Sequence, residues 1–335
     1  DYTPNAGGAM VSGGSEANLA GLTVARNIFF KKFDIKRNGL FGMKPFMVYC
    51  SKETHNCTDK SLSLLGIGTN QLRRIDTNAD LTINTEALEK QIEADIASGF
   101  MPFCVIGNAG TVNTGAIDDL NTLADIAQKY KMWFHIDGAY GIPAAVIPEQ
   151  KELFAGIEDA DSIALDPHKW LYSPLEAGCT LVKDPNHLID TYSSHPVYYN
   201  FGNNDEALTQ NFYEYGLQNS RGFRALKVWM MLQQVGRSGY IKMIDDDIQL
   251  SKLFFELADQ HPELEAVTQN LSITTLRYVP LNFINNNEET AAYLNKLNET
   301  LLNNLQQGGE VFLSNAVIAG KYCLRGCIVN FRTSK

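Results

Sequence analysis

The sequence predicts an α/β protein built on a parallel or mixed β-sheet that helices cover on both faces. Short, continuously apolar runs alternate along the chain with amphipathic helical patterns, which is typical of strands buried on both faces. Several of these runs lead directly into polar loops, at residues 108–111, 137–140 and 166–169. Ligands of open α/β sheets collect in the loops beyond the strand ends, so the functional site is expected there.

The predicted elements begin with a helix close to the start of the sequence. Apolar residues recur at helical spacing after Gly13-Gly14-Ser15, and Ser15 is the expected N-cap. Strands are predicted at residues 46–50, 72–75, 103–106, 133–136, 162–165 and 179–182. Helices are predicted between the first two of these strands to about residue 65, and then at residues 84–98 and 120–130.

The character of the sequence changes after residue 192. Tyrosine and phenylalanine are interspersed with polar residues at 192–215 without a clean period, which predicts a long surface segment of the kind that is often functional. Helices are predicted at 222–235 and 244–260, and a strand–helix–strand pattern follows. These elements predict a second, smaller α+β domain.

The composition is that of an ordinary globular protein and argues against several functions. The 335 residues carry a net charge of −10 and contain no basic run, so nucleic acid and anionic membranes are not expected as partners. No apolar run approaches the roughly 20 residues that span a bilayer. The six cysteines lack metal-ligand spacing, so we predict reduced thiols in a cytoplasmic protein and no metal site.

Three sequence features together indicate pyridoxal 5′-phosphate (PLP) chemistry. The glycine-rich turn at residues 13–15 precedes a helix and offers backbone N–H groups to a phosphate. Asp137 follows one apolar strand, and a carboxylate near a pyridine nitrogen keeps that nitrogen protonated. Lys169 follows the next strand, where partial burial would favour a Schiff base with an aldehyde. Taken singly, the turn could be a plain capped helix and the lysine a solvated surface charge.

Several longer motifs occur in a defined order along the chain. They are Val-Ser-Gly-Gly-Ser-Glu-Ala-Asn at 11–18, Thr-His at 54–55, Gly-Thr-Val-Asn-Thr-Gly-Ala-Ile-Asp at 110–118, His-Ile-Asp-Gly-Ala-Tyr at 135–140, Pro-His-Lys-Trp-Leu at 167–171 and Ser-Arg-Gly-Phe-Arg-Ala-Leu-Lys-Val-Trp at 220–229. The series resembles the group II PLP-dependent amino-acid decarboxylases, the family of aromatic-L-amino-acid and glutamate decarboxylases. The resemblance covers most of the chain.

The resemblance implies an α/β fold of the fold-type-I, PLP-dependent transferase-like class, with a mostly parallel seven-stranded sheet and a smaller C-terminal α+β domain. It predicts a large PLP-binding domain at residues 1–230 and a small domain at residues 231–335. The family's N-terminal helical segment and C-terminal helix have no counterpart in this sequence, so we expect a fragment with a truncated small domain. It also implies a homodimer whose active site is shared between subunits.

The resemblance also assigns roles to residues of this sequence. Lys169 would form the Schiff base, Asp137 would pair with the pyridine nitrogen, and His55 would stack on the ring. As an isolated residue, His55 could instead be a surface histidine at the start of a helix. Tyr198 is the first choice, and Tyr199 the second, for the tyrosine that returns a proton after CO2 leaves. The remaining predicted cofactor contacts are Ala139 on the other ring face, Gly14 and Ser15 at the phosphate, His168 and Asp166 near it, and Thr111 in the pocket.

The predicted function is therefore PLP-dependent decarboxylation of an L-amino acid to the amine and CO2. The main alternative is other PLP chemistry on the same scaffold, by an aldehyde synthase, an aldolase-type lyase or an aminotransferase. A protein that only binds phosphate or a nucleotide at residues 13–15 would leave Asp137 and Lys169 unexplained, and a catalytically silent fragment is a further alternative. Three positions depart from the family pattern: Val112 for threonine, Gly138 for alanine, and Asp166 for asparagine or a small residue.

Overall fold

A seven-stranded β-sheet forms the centre of the protein in the computed structural model, which describes residues 2–194, 211–284, 287–309 and 311–335. Its strands are β1 (Gly7–Val11), β2 (Phe46–Ser51), β3 (Leu72–Ile75), β4 (Met101–Asn108), β5 (Trp133–Asp137), β6 (Ser162–Leu165) and β7 (Gly178–Val182). They lie in the order β1-β7-β6-β5-β4-β2-β3, and β7 alone runs antiparallel to its neighbours in this sheet. The predicted mostly parallel seven-stranded sheet is confirmed.

Helices cover both faces of this sheet. They are α1 (Gly14–Phe29), α2 (Ile35–Asn38), α3 (Cys57–Leu64), α4 (Thr85–Ala97), α5 (Leu120–Tyr130) and α6 (Asn186–Tyr192). Side chains of a strand alternate between faces, so Met47 joins the core that contains Leu88 of α4, whereas Val48 joins the core that contains Leu22 of α1. Because both faces are buried, the strands are continuously apolar in sequence.

Strand β1 was not predicted from the sequence. It contains Gly7 and Gly8, and glycine has a low β propensity. The strand pairs with β7, where a Cβ on Gly8 would lie 2.7 Å from the carbonyl oxygen of Thr180. The glycines therefore permit a close approach of two backbones, which a pattern of apolar side chains cannot reveal.

A second sheet of four antiparallel strands lies in the C-terminal part of the chain. Its strands are β8 (Leu264–Asn270), β9 (Ile273–Tyr278), β10 (Ser314–Ile318) and β11 (Lys321–Cys327), in the order β10-β11-β9-β8. It contacts the loops of the first sheet, since the hydroxyl oxygens of Tyr140 and Ser272 lie 2.6 Å apart in a hydrogen bond. The predicted smaller α+β part of the chain is present.

Helix α7 (Arg224–Asp259) connects the two sheets, and α8 (Glu288–Gly308) packs on the second. The sequence predicted two helices where α7 runs, and α7 consists of two helical stretches that meet at Gly236, whose φ of 68° and ψ of 168° are not helical. Residue 230, the predicted domain boundary, lies inside α7, and the division of the chain there stays a prediction.

Short 3₁₀ helices occupy several connections, at Lys31–Phe33, Thr69–Gln71, Ile142–Val146, Pro148–Phe154, Ile157–Asp159 and Phe212–Tyr215. Those at residues 142–159 lie between β5 and β6 and pack part of the core through Ala144 and Phe154. Across the described ranges, no helix has the length and apolarity that crossing a membrane requires.

Candidate active site

A cavity of about 320 Å³ opens where the loops after β2, β4, β5 and β6 meet the N-terminus of α1 and strand β11. Cavities of this size hold small ligands in other proteins. The parallel strands β2, β4, β5 and β6 all end at this edge of the sheet. The cavity is therefore at the position where α/β sheets bind their ligands.

The structure brings most of the predicted cofactor residues together in this cavity. Gly14, Ser15, His55 and Thr111 line it, and so do Asp137, Ala139, Asp166 and Lys169. His168 lies behind the cavity wall, where its ring would be 3.2 Å from a Cβ built on Gly13. Tyr198 and Tyr199 lie outside the described residues.

The N-terminus of α1 points its free N–H groups at the cavity. The helix begins at Gly14, one residue before Ser15, and Gly13 takes the capping position without a side-chain cap. The expected N-cap role of Ser15 is therefore wrong. The first N–H groups of a helix have no acceptor within the helix, and together with the helix dipole they favour an anion.

Gly14 lets the α1 backbone approach the loop after β6. A Cβ at residue 14 would lie 2.6 Å from Oδ2 of Asp166 and 3.2 Å from the Cβ of Ala139. A larger residue at position 14 would therefore push the helix start away from both loops. The backbone that would bind a phosphate is held close to the lysine-bearing loop for this reason.

The loop after β6 places a carboxylate beside the predicted cofactor lysine. Nζ of Lys169 lies 3.0 Å from Oδ2 of Asp166, and the lysine side chain is 43% exposed whereas that of Asp166 is 2% exposed. Oδ1 of Asp166 is buried and has no hydrogen-bond partner among the described residues. Asp166, one of the positions that depart from the family pattern, is thus the ion-pair partner of Lys169 at the cavity wall.

His168 has a defined tautomer. Its Nδ1 accepts a hydrogen bond of 2.9 Å from the backbone N–H of Ala177, so in the neutral ring the proton is on Nε2. That nitrogen lies 3.7 Å from Oδ2 of Asp166, which is too long for a direct hydrogen bond. His168 therefore packs between Gly13 and the buried carboxylate.

Asp137 and His55 line the cavity from neighbouring loops. Asp137 ends β5 and is 7% exposed, and its Oδ1 accepts a hydrogen bond of 3.2 Å from the N–H of Ala139. His55 is exposed and precedes α3 by two residues, with Nδ1 accepting from the N–H of Cys57 at 3.2 Å. Burial raises the pKa of the Cys57 thiol to about 12, with Asp137 adding to the effect, so this cysteine is a neutral part of the wall.

Sequence reasoning missed a buried chain of hydrogen bonds behind Asp137 and α1. His135 Nε2 lies 2.9 Å from Oδ1 of Asn18, and its Nδ1 lies 2.8 Å from Oγ of Ser162. Asn18 in turn donates to the carbonyl oxygen of Gly14 at 2.9 Å. Burial lowers the pKa of His135 to about 4. The ring is therefore neutral, and it ties the first turn of α1 to β5.

A second buried chain supports the loop that carries His55. The Asp118 carboxylate accepts hydrogen bonds from the N–H of Ile83 at 2.7 Å and from the N–H and side-chain amide of Asn108, both at 2.8 Å. The Asn108 amide also donates to Oγ1 of Thr54 at 2.9 Å. Burial raises the pKa of Asp118, and these hydrogen bonds oppose the rise.

Strand β11 completes the cavity wall with Arg325 and Cys327, together with Val329 just after the strand. None of these residues was predicted, because the recognisable motifs ended at residue 229. The only sequence signal was a lone arginine within an otherwise apolar run. Nε of Arg325 is buried without a hydrogen-bond partner among the described residues, whereas Nη1 donates to Oγ of Ser314 at 3.1 Å.

The residues of the cavity fit PLP. A helix N-terminus without a side-chain cap suits the phosphate, and the primary amine of Lys169 suits the aldehyde. The carboxylate of Asp137 suits a protonated pyridine nitrogen. Among the described residues, no side chain caps the helix start at Gly14, so its N–H groups are available to a phosphate.

Comparisons with known proteins agree with this fit. A family model described as the pyridoxal-dependent decarboxylase conserved domain matches residues 1–279. The aromatic-L-amino-acid decarboxylase of Bacillus atrophaeus is 37% identical over 334 residues, 99% of this chain and 67% of that protein. A phenylacetaldehyde synthase of a Rosa hybrid cultivar is 29% identical over 328 residues, 97% of this chain and 64% of that protein.

Solved structures give the same result. The crystal structure of Oryza sativa TDC with PLP and tryptamine superposes with a TM-score of 0.89 at 27% identity, over 97% of this chain and 66% of that one. The chain thus spans about two thirds of the length of the relatives it matches. With a family match over residues 1–279 and a relative at 37% identity, this chain belongs to the pyridoxal-dependent decarboxylase family, whose cofactor is PLP.

Proposed function

We propose that this protein decarboxylates an L-amino acid to the corresponding amine and CO2 with PLP. One observation carries the proposal: the amine of Lys169, the carboxylate of Asp137 and the uncapped start of α1 share one cavity. The reaction takes up one proton for each carboxylate that leaves as CO2. The protein must therefore bind the cofactor, orient the substrate and deliver that proton.

The cavity holds candidate residues for binding the cofactor and the substrate, whereas the proton donor is proposed from the sequence. PLP, when bound, supplies an aldehyde for attachment to an amine and a protonated ring that withdraws electrons from the substrate. Lys169 would offer the amine, and Asp137 would hold the proton on the ring nitrogen. The N–H groups of Gly14 and Ser15 would bind the phosphate. The remaining predicted contacts are His55 and Ala139 on the two ring faces, Thr111 at the pocket wall, and Asp166 with His168 behind the lysine and the phosphate.

Arg325 is our candidate for binding the substrate's carboxylate. It lies on β11 and lines the cavity opposite the loops of the first sheet, and its buried Nε has no partner among the described residues. A guanidinium with an unused donor gains a charge-assisted hydrogen bond when a carboxylate approaches. The proposed substrate is an L-amino acid, and aromatic amino acids come first because of the relative from Bacillus atrophaeus.

The proton donor is proposed to be Tyr198, with Tyr199 as the second choice. Both remain proposals from the sequence, since they lie outside the described residues. A Tyr198→Phe variant should release less amine, because the substrate carbon would lose its proton source, and a chromatographic assay of amine and aldehyde measures this. An unchanged amine yield together with a loss in Tyr199→Phe would transfer the role to Tyr199.

A second candidate function is aldehyde synthesis on the same scaffold. The relative from the Rosa hybrid cultivar, a phenylacetaldehyde synthase, favours this candidate. It is similar to this chain over almost the same residues as the decarboxylase. The product therefore has to be measured: amine without aldehyde supports the decarboxylase, and aldehyde with ammonia and hydrogen peroxide, formed as O2 is consumed, supports the synthase.

We further propose a homodimer in the cytoplasm. The N-terminal part of α7 exposes large apolar side chains, with Phe223, just before it, 74% exposed, Trp229 58% exposed and Met230 56% exposed. Contiguous exposed apolar side chains are typical of surfaces that bind another protein. All six cysteines are free thiols, which suits a reducing compartment.

The decisive experiment compares the wild type with Lys169→Ala. The purified protein with PLP should show the absorption band of lysine-bound cofactor and should release CO2 from at least one amino acid in a screen. Lys169→Ala should lose both while keeping its circular dichroism spectrum. Lys183→Ala is the matched control, because the Lys183 side chain is also 43% exposed and lies outside the cavity. A band that persists in Lys169→Ala would refute the assignment of this lysine.

A further inference from the structure

We infer that Asp247 is a positioning residue for Lys169, which holds the lysine-bearing turn from helix α7. The inference rests on the proposed function only in taking Lys169 as the cofactor lysine. One carboxylate oxygen of Asp247, on α7, contacts the two aromatic residues that flank the turn after Lys169.

The contact is a buried clamp with two donors and one acceptor. Oδ2 of Asp247 accepts a hydrogen bond of 3.0 Å from Nε1 of Trp170 and another of 2.8 Å from the hydroxyl of Tyr172. Trp170 is 0% exposed and Asp247 is 1% exposed. Within the described ranges, no basic side chain forms a salt bridge with Asp247. Both observed hydrogen bonds of Asp247 go to the turn that carries Lys169.

The turn itself has a backbone that needs support. The N–H of Lys169 donates to the carbonyl of Asp166 at 2.9 Å, and the N–H of Tyr172 donates to the carbonyl of Lys169 at 3.1 Å. Tyr172 has a φ of 53°, in the left-handed region that a bulky residue rarely adopts. Such a conformation persists only where the surrounding structure imposes it, and the bond from the Tyr172 hydroxyl to Asp247 does so.

Further contacts strengthen the same connection. The ring of Trp170 stacks on that of Tyr140, with centroids 4.9 Å apart and planes 12° apart. Tyr140 lines the cavity, so the clamped tryptophan is packed directly behind the site. Tyr240, also on α7, donates from its hydroxyl to the carbonyl of Leu171 at 3.0 Å. Helix α7 therefore holds the turn at three successive residues, 170, 171 and 172.

The chemistry of the clamp explains why an acceptor oxygen is needed at residue 247. Both partners are donors, the indole N–H and the phenol O–H, and both point at one oxygen. An asparagine could turn its amide oxygen towards the two donors and keep the clamp. A leucine of similar size would leave both donors buried without an acceptor, and the turn would rearrange to satisfy them.

The test compares Asp247→Leu with Asp247→Asn and measures capture of PLP by the apoprotein. The readouts are the rate at which the absorption band of lysine-bound cofactor appears, and the yield of PLP-modified Lys169 peptide after borohydride reduction, by mass spectrometry. Asp247→Leu should lower the rate at least about tenfold, since a misplacement of roughly 1 Å can cost up to about a hundredfold. Asp247→Asn should stay within about threefold of the wild type, because the acceptor is retained.

Two controls separate positioning from general damage. Asp246→Leu removes the neighbouring carboxylate, which faces solvent and pairs with Lys242, and should leave the rate unchanged. Tyr172→Phe removes one donor of the clamp and replaces Asp247→Leu as the test variant if Asp247→Leu does not fold. Alone, it should slow capture measurably. Added to an Asp247→Leu protein that folds, it should have no further effect on the rate.

The outcomes are distinct from those that test the proposed function. The inference would be overturned if a folded Asp247→Leu protein captured PLP at the wild-type rate. If Asp247→Leu does not fold, the same result with Tyr172→Phe would overturn it. Equal losses in Asp247→Asn and Asp247→Leu would also overturn it, because they would show that charge and not the acceptor matters. Lys169→Ala tests the lysine itself: if the band persisted there, the proposed function would fail whatever Asp247 does.

Discussion

His135 has hydrogen bonds that fix which ring nitrogen carries the proton. Oδ1 of Asn18 can only accept, so Nε2 of His135 donates to it and Nδ1 accepts from the hydroxyl of Ser162. The Ser162 oxygen then accepts from Nε1 of Trp133 at 2.9 Å. Every member of this chain has a partner of the required kind, so a second proton on the ring would disrupt it.

The protein should therefore lose stability in mild acid through His135. Burial lowers the pKa of His135 from 6.5 to about 4 in the folded chain. Below pH 6.5 the unfolded chain binds a proton that the folded chain does not, so stability falls from that pH down to about pH 4 and is unaffected above it. The full loss is roughly 3 kcal/mol. Urea unfolding followed at several pH values measures it.

His135→Gln is the appropriate reference for this prediction, because glutamine can donate to Asn18 and does not titrate. As the pH falls from 6.5 to 4, the free energy of unfolding of the wild type should decrease relative to that of the variant. Parallel pH curves for the two proteins would contradict the assignment of a neutral His135.

The site residues divide into those that the sequence could predict and those that it could not. Lys169 and Asp137 follow recognisable apolar strands, and parallel strands bring their ends together. Asn18 meets His135 across 117 positions, and Trp170 meets Asp247 across 77. Pairings at such distances depend on the packing of whole elements, and no local pattern in the sequence signals them.

At the scale of elements, α1 is placed by a close approach to the sheet. Gly21 lies on the buried side of α1, and a Cβ there would be 2.7 Å from Cε1 of His135. The same helix carries the proposed phosphate-binding turn at its start. A shift of α1 would therefore move Gly14 as well as disturb His135.

Gly21→Ala should destabilise the protein by about 1–3 kcal/mol, because the added methyl overpacks the contact with His135. Gly308→Ala is the control, since Gly308 is also helical and nothing lies within 4 Å of a Cβ there; it should be neutral or slightly stabilising. Thermal and urea unfolding measure both changes. A Gly21→Ala protein as stable as Gly308→Ala would show that the helix is not tightly seated.

Element boundaries show a second limit of sequence reasoning. Strand β6 and helix α5 were predicted at their observed residues, because apolar periodicity decides both. Helix α7 was predicted as two helices, and the structure does interrupt it at Gly236, whose backbone is not helical, directly after the predicted end of the first helix at residue 235. The second stretch follows Gly236 directly and does not wait until residue 244, because tertiary packing extends it, and packing is not visible in the local sequence.

At the scale of the whole molecule, the exposed apolar side chains at the start of α7 are proposed to form a dimer contact. Trp229→Glu should convert the dimer into a monomer, because a charge would be buried in an apolar interface. Light scattering coupled to size-exclusion chromatography measures the mass. Phe41→Glu is the control, because Phe41 is also an exposed aromatic residue but lies far away along the chain, in the loop before β2.

Two results would count against this surface as the contact. One is a wild type that is monomeric at all concentrations tested, and the other is a Trp229→Glu protein with the same mass as the wild type. A monomeric Phe41→Glu protein would instead move the proposed contact to the loop before β2.

Helix α7 also has a consequence for the order of events during synthesis. Lys169 leaves the ribosome well before Asp247, and Arg325 follows only near the end of this chain. The lysine turn gains its clamp only when the second half of α7 has emerged, and the cavity gains its last wall with β11. We therefore expect a nascent chain to bind its cofactor late, after most of these residues have been translated.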